Sequence, residues 1–385
     1  MKGSVRKRGD KWSYYFDIGK TEDGKRKKVE RGGFRTKKEC EQALRKAIEE
    51  YEDKGKVFKD TSWTVLMACN YWYETTQHTV KYNTNRIRRT IINSRIKDQI
   101  GHIYLSKLSP AILQNFFNEI APNRSAGYLN DIYTVLNQTF DLAVKQGHMK
   151  QNIMTQIIKP KKRKPGLLTK ALTDEEIIKL LTHIKKNAED YYLPVLFGLH
   201  NGTRIGETFA LTWDDVDLEN KTVSITKNLI TTRKHLGGIS EYRIDTTKTN
   251  AGNRKTYLTQ IICDELSEWK IRQKENQKKY GIHYHQNDLD YIFTRENGEL
   301  IKFESLQTFL QRSQAKLGFK VNYHRLRHTH ITTLFEVGAT IREVQSRVGQ
   351  SDIRTTLEIY THVTEQMQNK TAAALEKRII NLPPN

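Results

Sequence analysis

The sequence predicts a multidomain protein with a small α+β N-terminal domain (three-stranded sheet plus helix), an all-α central domain, and a mainly α C-terminal domain with a small antiparallel sheet. Its 385 residues exceed the usual size of one domain. The spacing of apolar residues changes from period two to a helical period near residue 61, and a basic, proline-containing stretch interrupts the chain near residue 160. The predicted boundaries are 1–58, 61–158, a linker at 159–170, and 171–385.

The first domain begins with a strand whose apolar residues alternate with polar ones. Its predicted core-facing residues are Trp12, Tyr14, Phe16 and Ile18. Asp23-Gly24 then predicts a hairpin turn, and Thr36 with Glu39 predicts a capping box that opens a helix. The apolar residues of this helix, spaced by three and four, are Cys40, Ala43, Leu44, Ala47, Ile48 and Tyr51.

Positive charge is concentrated on the strands and turns of this domain, whereas its acidic residues gather in the helix. A narrow β-ribbon with a basic exposed face can enter a DNA major groove. The alternative is a basic face that is merely solvated. The predicted DNA-binding residues are Arg6, Lys7, Arg8, Lys25, Arg26, Lys27, Lys28 and Arg31.

Residues 61–158 have helical periodicity and predict four or five helices. The first is expected to bury Trp63, Leu66, Met67 and Tyr71, with Asn70 as a polar misfit. The next three are expected at residues 85–100, from Pro110 onward behind a Ser109 cap, and at residues 125–146. The core side of the fourth helix consists of Leu129, Ile132, Leu136, Phe140 and Ala143, and Gly147 should end it.

The linker combines two prolines and a glycine with a run of positive charge, which favours an extended strap. Its basic residues, predicted to lie across DNA between two DNA-binding domains, are Lys161, Lys162, Arg163 and Lys164. A nuclear-import signal is the alternative for such a run.

The overall composition points to a polyanionic partner. A formal charge of +21 exceeds what solubility requires, so nucleic acid or an anionic membrane is expected. No apolar run approaches the roughly 20 residues of a membrane span, and the N-terminus lacks a secretory signal, so we expect a soluble, cytoplasmic protein that does not bind membranes. Cys40, Cys69 and Cys263 lack metal-ligand spacing and should be buried thiols; neither a metal nor a cofactor is predicted.

In the C-terminal domain, Thr173 and Glu176 predict a capped first helix, and a sheet region is expected at residues 222–258. Several basic residues of this domain lie beside structural breaks, where side chains can converge on a ligand. Arg204 follows the turn Asn201-Gly202-Thr203, and Lys248 is expected beside a hairpin turn between the strand-like segments 242–244 and 254–258.

His324 and Arg327 are three residues apart, so one helical turn should place them on the same face. Tyr360 ends the segment TTLEIY. The strings NGTRIGE, HRLRHTHIT and VGQSDIRTTLEIYTH, in this order, resemble the signature of the tyrosine recombinase, or phage integrase, family, in particular the three-domain integrases of conjugative transposons and temperate phages.

The resemblance implies that the three domains bind arm-site DNA, bind core-site DNA, and catalyse strand cleavage and rejoining through a 3′-phosphotyrosyl intermediate. It implies integration and excision of a mobile element without metal or ATP. The implied partners are double-stranded attachment-site DNA, three further copies in a homotetramer on DNA, and an excision factor or a host DNA-bending protein. When bound to DNA, the protein would associate with the nucleoid.

The resemblance also implies roles for individual residues: Arg204 and Arg327 grip the scissile phosphate, Tyr360 is the nucleophile, Lys248 is the hairpin lysine, and His324 belongs to the HxxR pair. Two forked guanidiniums can neutralise the charge of a phosphorane without a metal ion. His324 can accept the phenol proton, and Lys248 can protonate the departing 5′ oxygen. Glu207, one turn after Arg204, is expected to hold an arginine or lysine in place.

Gln350 departs from the pattern, because most relatives have a histidine there and some a tryptophan. An amide can donate a hydrogen bond but cannot titrate. Three hypotheses therefore stay open: an active integrase, a DNA-binding relative whose catalysis is impaired at Gln350, and a type IB topoisomerase. An apolar pattern continues after Tyr360, and the resemblance implies that this tail docks on a neighbouring protomer. The alternative is a tail that packs on its own domain.

Overall fold

The computed structural model describes residues 3–20, 26–54, 63–158, 170–233, 240–246, 252–350, 356–357 and 359–361. The chain divides into two compact units, residues 1–165 and 166–385. Several predicted features lie outside the described residues: the turn at Asp23-Gly24, Lys25, the linker through residue 169 with its four basic residues, Lys248, and the tail after residue 361.

An antiparallel sheet of order β1-β2-β3, covered on one side by helix α1, forms the beginning of the first unit. Its elements are β1 (Gly3–Arg8), β2 (Lys11–Lys20), β3 (Arg26–Phe34) and α1 (Lys37–Lys54). The Glu39 amide donates to Thr36 Oγ1 at 3.2 Å, which confirms the predicted N-terminal cap. The core consists of Tyr14, Phe16, Cys40, Leu44 and Ala47, as the two periodicities predict.

The basic residues of this sheet do not share one face. Residues directly opposite each other in an antiparallel pair point to the same side of the sheet. Lys7 lies opposite Trp12, and Arg31 lies opposite the buried Tyr14, so both point toward the side that α1 covers. The prediction of one exposed basic face was therefore wrong for Lys7 and Arg31, since it did not apply the strand alternation to β1 and β3.

The opposite, open side of the sheet presents Tyr15 between two cations. The Arg6 guanidinium lies 5.2 Å and the Lys28 ammonium 5.8 Å from the centre of its ring. Glu30 Oε1 accepts from Arg6 at 2.5 Å and lies 3.2 Å from Arg8, and the Arg6 hydrogen bond lowers the pKa of this carboxyl. Glu30 therefore neutralises part of the positive charge on the open face.

If the open face binds DNA, as the sequence predicts, the substitution Glu30→Gln should tighten duplex binding by about threefold at low salt, because it releases Arg6 and Arg8 for phosphate contacts. The gain should shrink as salt rises, since the interaction is screened. Fluorescence anisotropy across a salt series measures this. Glu41→Gln, which breaks an exposed ion pair with Lys37 on α1, is the matched control. Equal gains in both variants would show that only net charge changed.

The rest of the first unit is helical, as predicted. Its helices are α2 (Val65–Thr76), α3 (Tyr82–Ile91), α4 (Lys97–Gln99), α5 (Pro110–Ile120) and α6 (Ala126–Lys145), with a π-helical turn (Ile92–Ile96) joining α3 to α4. Ser109 Oγ caps α5 and Ser125 Oγ caps α6. Gly147, at a φ of +78°, follows α6 in the left-handed conformation that glycine adopts most easily.

The predicted inner face of α2 was wrong for Met67 and Tyr71, whereas Trp63 and Leu66 pack against the core as predicted. Its buried residues are Val65, Ala68, Cys69 and Trp72, whereas Met67 and Tyr71 are exposed. Both stripes have spacings of three and four, so periodicity alone does not choose between them. The observed stripe includes Trp72, whose indole the Arg88 guanidinium covers at 4.8 Å.

The second unit combines helices with two small antiparallel sheets. Its helices are α7 (Asp174–Asn187), α8 (Tyr192–Asn201), α9 (Ile205–Phe209), α10 (Gln260–Tyr280), α11 (Phe303–Leu317), α12 (Tyr323–Glu336) and α13 (Ile341–Val348). Its strands are β4 (Val216–Asp217), β5 (Thr222–Ile225), β6 (Lys227–Arg233), β7 (Ser240–Thr246) and β8 (Arg254–Tyr257). Thr173 and Glu176 form the predicted capping box at α7.

The strands of this unit pair differently from the sequence prediction. β8 pairs with β5 in a sheet of order β4-β5-β8, while β7 pairs with β6. Hence β7 and β8 do not form the hairpin that was expected to flank Lys248. Both candidate strands were found, but partner choice depends on contacts that local alternation does not specify.

A large apolar core joins α8, α10, α11 and α12 to the β4-β5-β8 sheet. A second cluster, made of Ile331, Phe335, Val344, Val348 and Ile359, fixes the short segment around Tyr360 against α12 and α13. Cys40, Cys69 and Cys263 are buried, as predicted. Among the described residues, no helix has the length and apolarity required to cross a membrane.

Candidate active site

Arg204 lies in a sharp break between two helices. α8 ends at Asn201 and is capped by Gly202, which has a φ of +59°; a Cβ on Gly202 would lie 2.5 Å from the ring of His330. The chain then turns so that Arg204 becomes the N-cap residue of α9. The break therefore directs the Arg204 side chain away from the helical core, and about a third of that side chain is exposed.

Glu207, one turn later, contacts two arginines. Its Oε1 accepts from Arg204 Nη1 at 2.6 Å, and its Oε2 accepts from the Arg204 amide at 3.0 Å and from Arg254 Nη2 at 2.9 Å. Its side chain is only 1% exposed. Burial alone would raise the pKa of Glu207, but Arg254 and Arg204 hold it below its usual value. Glu207 is thus a buried carboxylate that orients both guanidiniums.

Arg327 and His324 occupy the first turns of α12. Arg327 is buried and donates from Nη1 to the Gly202 carbonyl at 2.7 Å. Its Nη2 is buried without a hydrogen-bond partner in the part of the chain that the structure describes. Part of His324 is exposed to solvent, and its ring meets His328 edge-on at 4.8 Å. Partial burial, together with Arg327 and Arg204, lowers the pKa of His324, which favours the neutral imidazole that can accept a proton.

The site carries more positive than negative charge. Three guanidiniums, those of Arg204, Arg254 and Arg327, surround one carboxylate, that of Glu207. Burial and the neighbouring Arg204 lower the pKa of Arg327 to about 9. Because buried like charges repel one another, an anion that accepts hydrogen bonds from Arg204 and Arg327 would be strongly stabilised here. The arrangement fits a phosphate diester.

The buried imidazole of His330 links two chain segments next to this site. His330 Nδ1 lies 2.9 Å from the Leu199 carbonyl, and Arg347 Nε donates to His330 Nε2 at 3.2 Å. One tautomer satisfies both contacts, with the proton on Nδ1. Arg347 Nη2 also donates to the carbonyls of His200 and Tyr257. Burial, followed by the charge of Arg347, lowers the pKa of His330 to about 3.

This histidine should make the fold sensitive to acid. The unfolded chain takes up a proton near the ordinary histidine pKa of about 6.5, whereas folded His330 resists protonation down to about 3. The contribution of neutral His330 to the free energy of unfolding is therefore fully present above about pH 6.5 and is lost as the pH falls toward 3. Thermal unfolding at about pH 7 and about pH 5.5 should show a smaller difference in His330→Gln than in the wild type.

His283→Gln, at an exposed histidine, is the control for that measurement. It should retain the wild-type difference between the two pH values. If His330→Gln retains it as well, His330 does not set the acid sensitivity.

The other residues predicted for this site are Tyr360, Gln350 and Lys248. The Tyr360 ring packs edge-on against Phe335 of α12 at 5.1 Å, and 37% of Tyr360 is exposed. Gln350 is half-buried and follows Gly349, the residue after the end of α13, and its backbone N–H donates to the Gln345 carbonyl at 3.2 Å. Arg204 Nη2 donates to the Gly349 carbonyl at 3.5 Å, so Gln350 follows directly after a residue that contacts the site. Lys248 lies outside the described residues.

Sequence reasoning missed Arg254 and Arg347. Arg254 opens β8, where it shares a side with the buried Thr256, while Lys255 and Tyr257 are exposed. That alternation could have identified an inward-pointing arginine. Arg347 had no comparable signal, since a basic residue in the last turn of a helix is common on surfaces.

Three known protein-family profiles match this chain, one in each predicted domain. The Phage integrase family profile matches residues 170–367. An Arm DNA-binding domain profile matches residues 4–51, and a profile described as Phage integrase, N-terminal SAM-like domain matches residues 67–121.

Curated relatives align with most of the chain. The integrase of Staphylococcus phage L54a is 28% identical over 309 residues, covering 76% of this chain and 86% of the relative. A tyrosine recombinase XerC-like protein of Caldanaerobacter subterraneus is 28% identical over 383 residues, covering 94% and 95%. The ICEBs1 integrase of Bacillus subtilis is 24% identical, covering 88% of each chain.

Solved structures share the fold. The Tn1549 transposon integrase in complex with transposon right end DNA matches with a TM-score of 0.63 at 21% identity, covering 80% of this chain and 99% of that one. A lambda integrase tetramer bound to a Holliday junction matches with a TM-score of 0.58 at 14% identity, covering 92% and 94%. These similarities confirm the predicted fold class.

Proposed function

This chain belongs to the phage integrase family, and we propose that it is a site-specific DNA recombinase that integrates and excises a mobile element. The proposed reaction cleaves and rejoins DNA through a 3′-phosphotyrosyl intermediate. The observation that carries the proposal is the cluster of Arg204, Arg327 and Glu207, in which two arginines and one orienting carboxylate leave a net positive charge. Helix α12, which bears Arg327, also packs against the segment that holds Tyr360.

In the proposed cleavage step, Tyr360 Oη attacks the scissile phosphorus, and the bond between phosphorus and the 5′ oxygen breaks. His324 accepts the phenol proton, and Lys248 supplies a proton to the departing 5′ oxygen. Arg204 and Arg327 donate to the nonbridging oxygens, where they stabilise the charge of the phosphorane. Rejoining reverses these steps when a 5′ hydroxyl of the partner strand attacks the phosphotyrosyl bond. No step requires a metal ion or ATP.

DNA is the proposed partner of all three domains. The open face of the N-terminal sheet, with Tyr15 between Arg6 and Lys28, suits arm-site binding; the helical domain suits core-site binding; and Lys161, Lys162, Arg163 and Lys164 would cross the backbone between them. Assembly as a homotetramer on paired sites, with an excision factor or a DNA-bending protein, completes the proposal, with the C-terminal tail docking on a neighbouring protomer.

A nicked core-site duplex tests the function. A nick just 3′ of the cleavage site lets the short fragment that carries the free 5′ hydroxyl diffuse away after cleavage. The strand cannot then be rejoined, so the covalent complex accumulates. We expect a protein–DNA adduct that resists denaturant and forms in the presence of EDTA. Specific DNA binding without any adduct would support the catalytically impaired alternative. Relaxation of supercoiled DNA without strand exchange between two duplexes would support a topoisomerase.

Gln350 should moderate the rate. If the side-chain amide of Gln350 donates to a nonbridging oxygen, a histidine that can carry charge should donate a stronger hydrogen bond. We expect the histidine to stabilise the transition state by about 1 to 2 kcal/mol more. We expect Gln350→His to speed adduct formation roughly tenfold, at about 1.4 kcal/mol per decade, and Gln350→Ala to slow it. DNA affinity should change little. Identical single-turnover rates for Gln, His and Ala would mean that residue 350 does not contact the phosphate.

A further inference from the structure

The Arg254 side chain donates three hydrogen bonds in the site, although the proposed chemistry gives it no step. Its Nε donates to the Arg347 carbonyl at 2.9 Å, its Nη1 to the Gly252 carbonyl at 2.9 Å, and its Nη2 to Glu207 Oε2 at 2.9 Å. Only 5% of the side chain is exposed. The planar fork thus joins three separate parts of the chain: the start of β8, the last turn of α13, and the first turn of α9.

Two of these acceptors, Glu207 and the Arg347 carbonyl, are close in the chain or by hydrogen bond to proposed catalytic groups. Glu207 holds Arg204 through two hydrogen bonds. The Arg347 carbonyl belongs to the last turn of α13, after which come Gly349, whose carbonyl accepts from Arg204, and then Gln350. The free carbonyls of a helix end carry partial negative charge and favour a cation. Arg254 therefore binds the end of α13 from one position and Arg204 binds it from another.

Glu207 alone would not hold this geometry. Its two oxygens are shared between Arg204 and Arg254, and without Arg254 one oxygen of a buried carboxylate would lose its charged donor. A carboxylate so freed can rotate or draw Arg204 inward, away from a ligand. Lysine at position 254 could reach only part of the acceptor set, because an ammonium is a point charge without the planar fork.

We propose that Arg254 is a positioning residue for DNA cleavage: through Glu207 it sets the direction of Arg204, and through the Arg347 carbonyl it sets the position of the α13 end that bears Gln350. Arg254 is too buried to grip DNA itself. This inference rests on the proposed recombinase function, and it predicts that loss of Arg254 reduces the rate of cleavage while leaving DNA affinity intact.

The test measures single-turnover adduct formation on the nicked core-site duplex for the full chain and for R254K, R254M and the control R272M. Arg272 lies on α10 and pairs with Glu189 and Glu296, away from the contacts described above. We expect R254M to slow adduct formation by about 100-fold and R254K by about tenfold, with DNA affinity within about threefold of the wild type. R272M should cleave at the wild-type rate.

A double-mutant cycle with R204K separates positioning from general damage. If Arg254 acts by orienting Arg204, R254M should slow the R204K protein by no more than about threefold, because the group that it positions is already replaced. An equal loss in both backgrounds would overturn the inference, as would a wild-type rate in R254M. Failure of both R254M and R254K to fold, seen by thermal unfolding, would also overturn it, since Arg254 would then be a folding residue.

Failure of the proposed function gives a different result. In that case the wild-type protein itself would form no adduct, whereas failure of the inference leaves the wild-type adduct in place and removes only its dependence on Arg254.

Discussion

Replacing Arg327 by methionine should reduce adduct formation by about 1000-fold or more, one of the two largest losses that we expect from a single substitution. Arg327 is 3% exposed, its Nη1 is held by the Gly202 carbonyl, and its Nη2 has no partner among the described residues. A donor that is held in this way is ready for a nonbridging oxygen at no cost of reorganisation. Methionine fills the aliphatic volume but offers no donor.

The fold should tolerate this change. Burial and the neighbouring Arg204 already disfavour the charge on Arg327, as its lowered pKa shows, so removing the charge relieves repulsion within the cluster. DNA affinity should fall by less than about tenfold, because most binding energy comes from many backbone contacts. Arg312→Met, at an exposed arginine of α11, removes the same charge and should cleave normally. Similar losses in the two variants would contradict the role of Arg327.

Much of the fold follows from local patterns in the sequence. The strand at Trp12, the capped helices after Thr36 and Thr173, and the helix that ends before Gly147 all depend on interactions within a few residues, which the sequence displays directly. The inner face of α2 and the partner of β7 depend instead on contacts with distant segments. Two apolar stripes on α2 satisfy the same period, and only tertiary packing selects the one with Trp72.

The residues of the site also differ in how far local sequence patterns predict them. Arg204, Glu207, His324 and Arg327 could be proposed from the sequence because each lies in a short motif beside a turn or on one helical face. Arg254 was missed because its importance comes from three acceptors that are far apart in sequence, at residues 207, 252 and 347. A buried arginine at the start of a short strand shows its role only when its partners are known.

Tyr360→Phe should abolish the adduct completely. The substitution removes one oxygen and keeps the ring, so the edge-on packing against Phe335 and the apolar cluster around Ile359 are preserved. Folding and DNA binding should therefore match the wild type. Because the phenol oxygen is the atom that we propose becomes bonded to phosphorus, no other group should substitute for it. Tyr257→Phe, at a tyrosine that is 73% exposed, is the matched control and should react normally.

The measurement that tests the account most directly is identification of the residue that carries the DNA. The adduct formed on a nicked core-site duplex is digested with protease and nuclease, and the nucleotide-bearing peptide is sequenced by mass spectrometry. We expect a 3′-phosphodiester on Tyr360 and no adduct in Tyr360→Phe. A nucleotide attached to any other residue, or an adduct that persists in Tyr360→Phe, would contradict it.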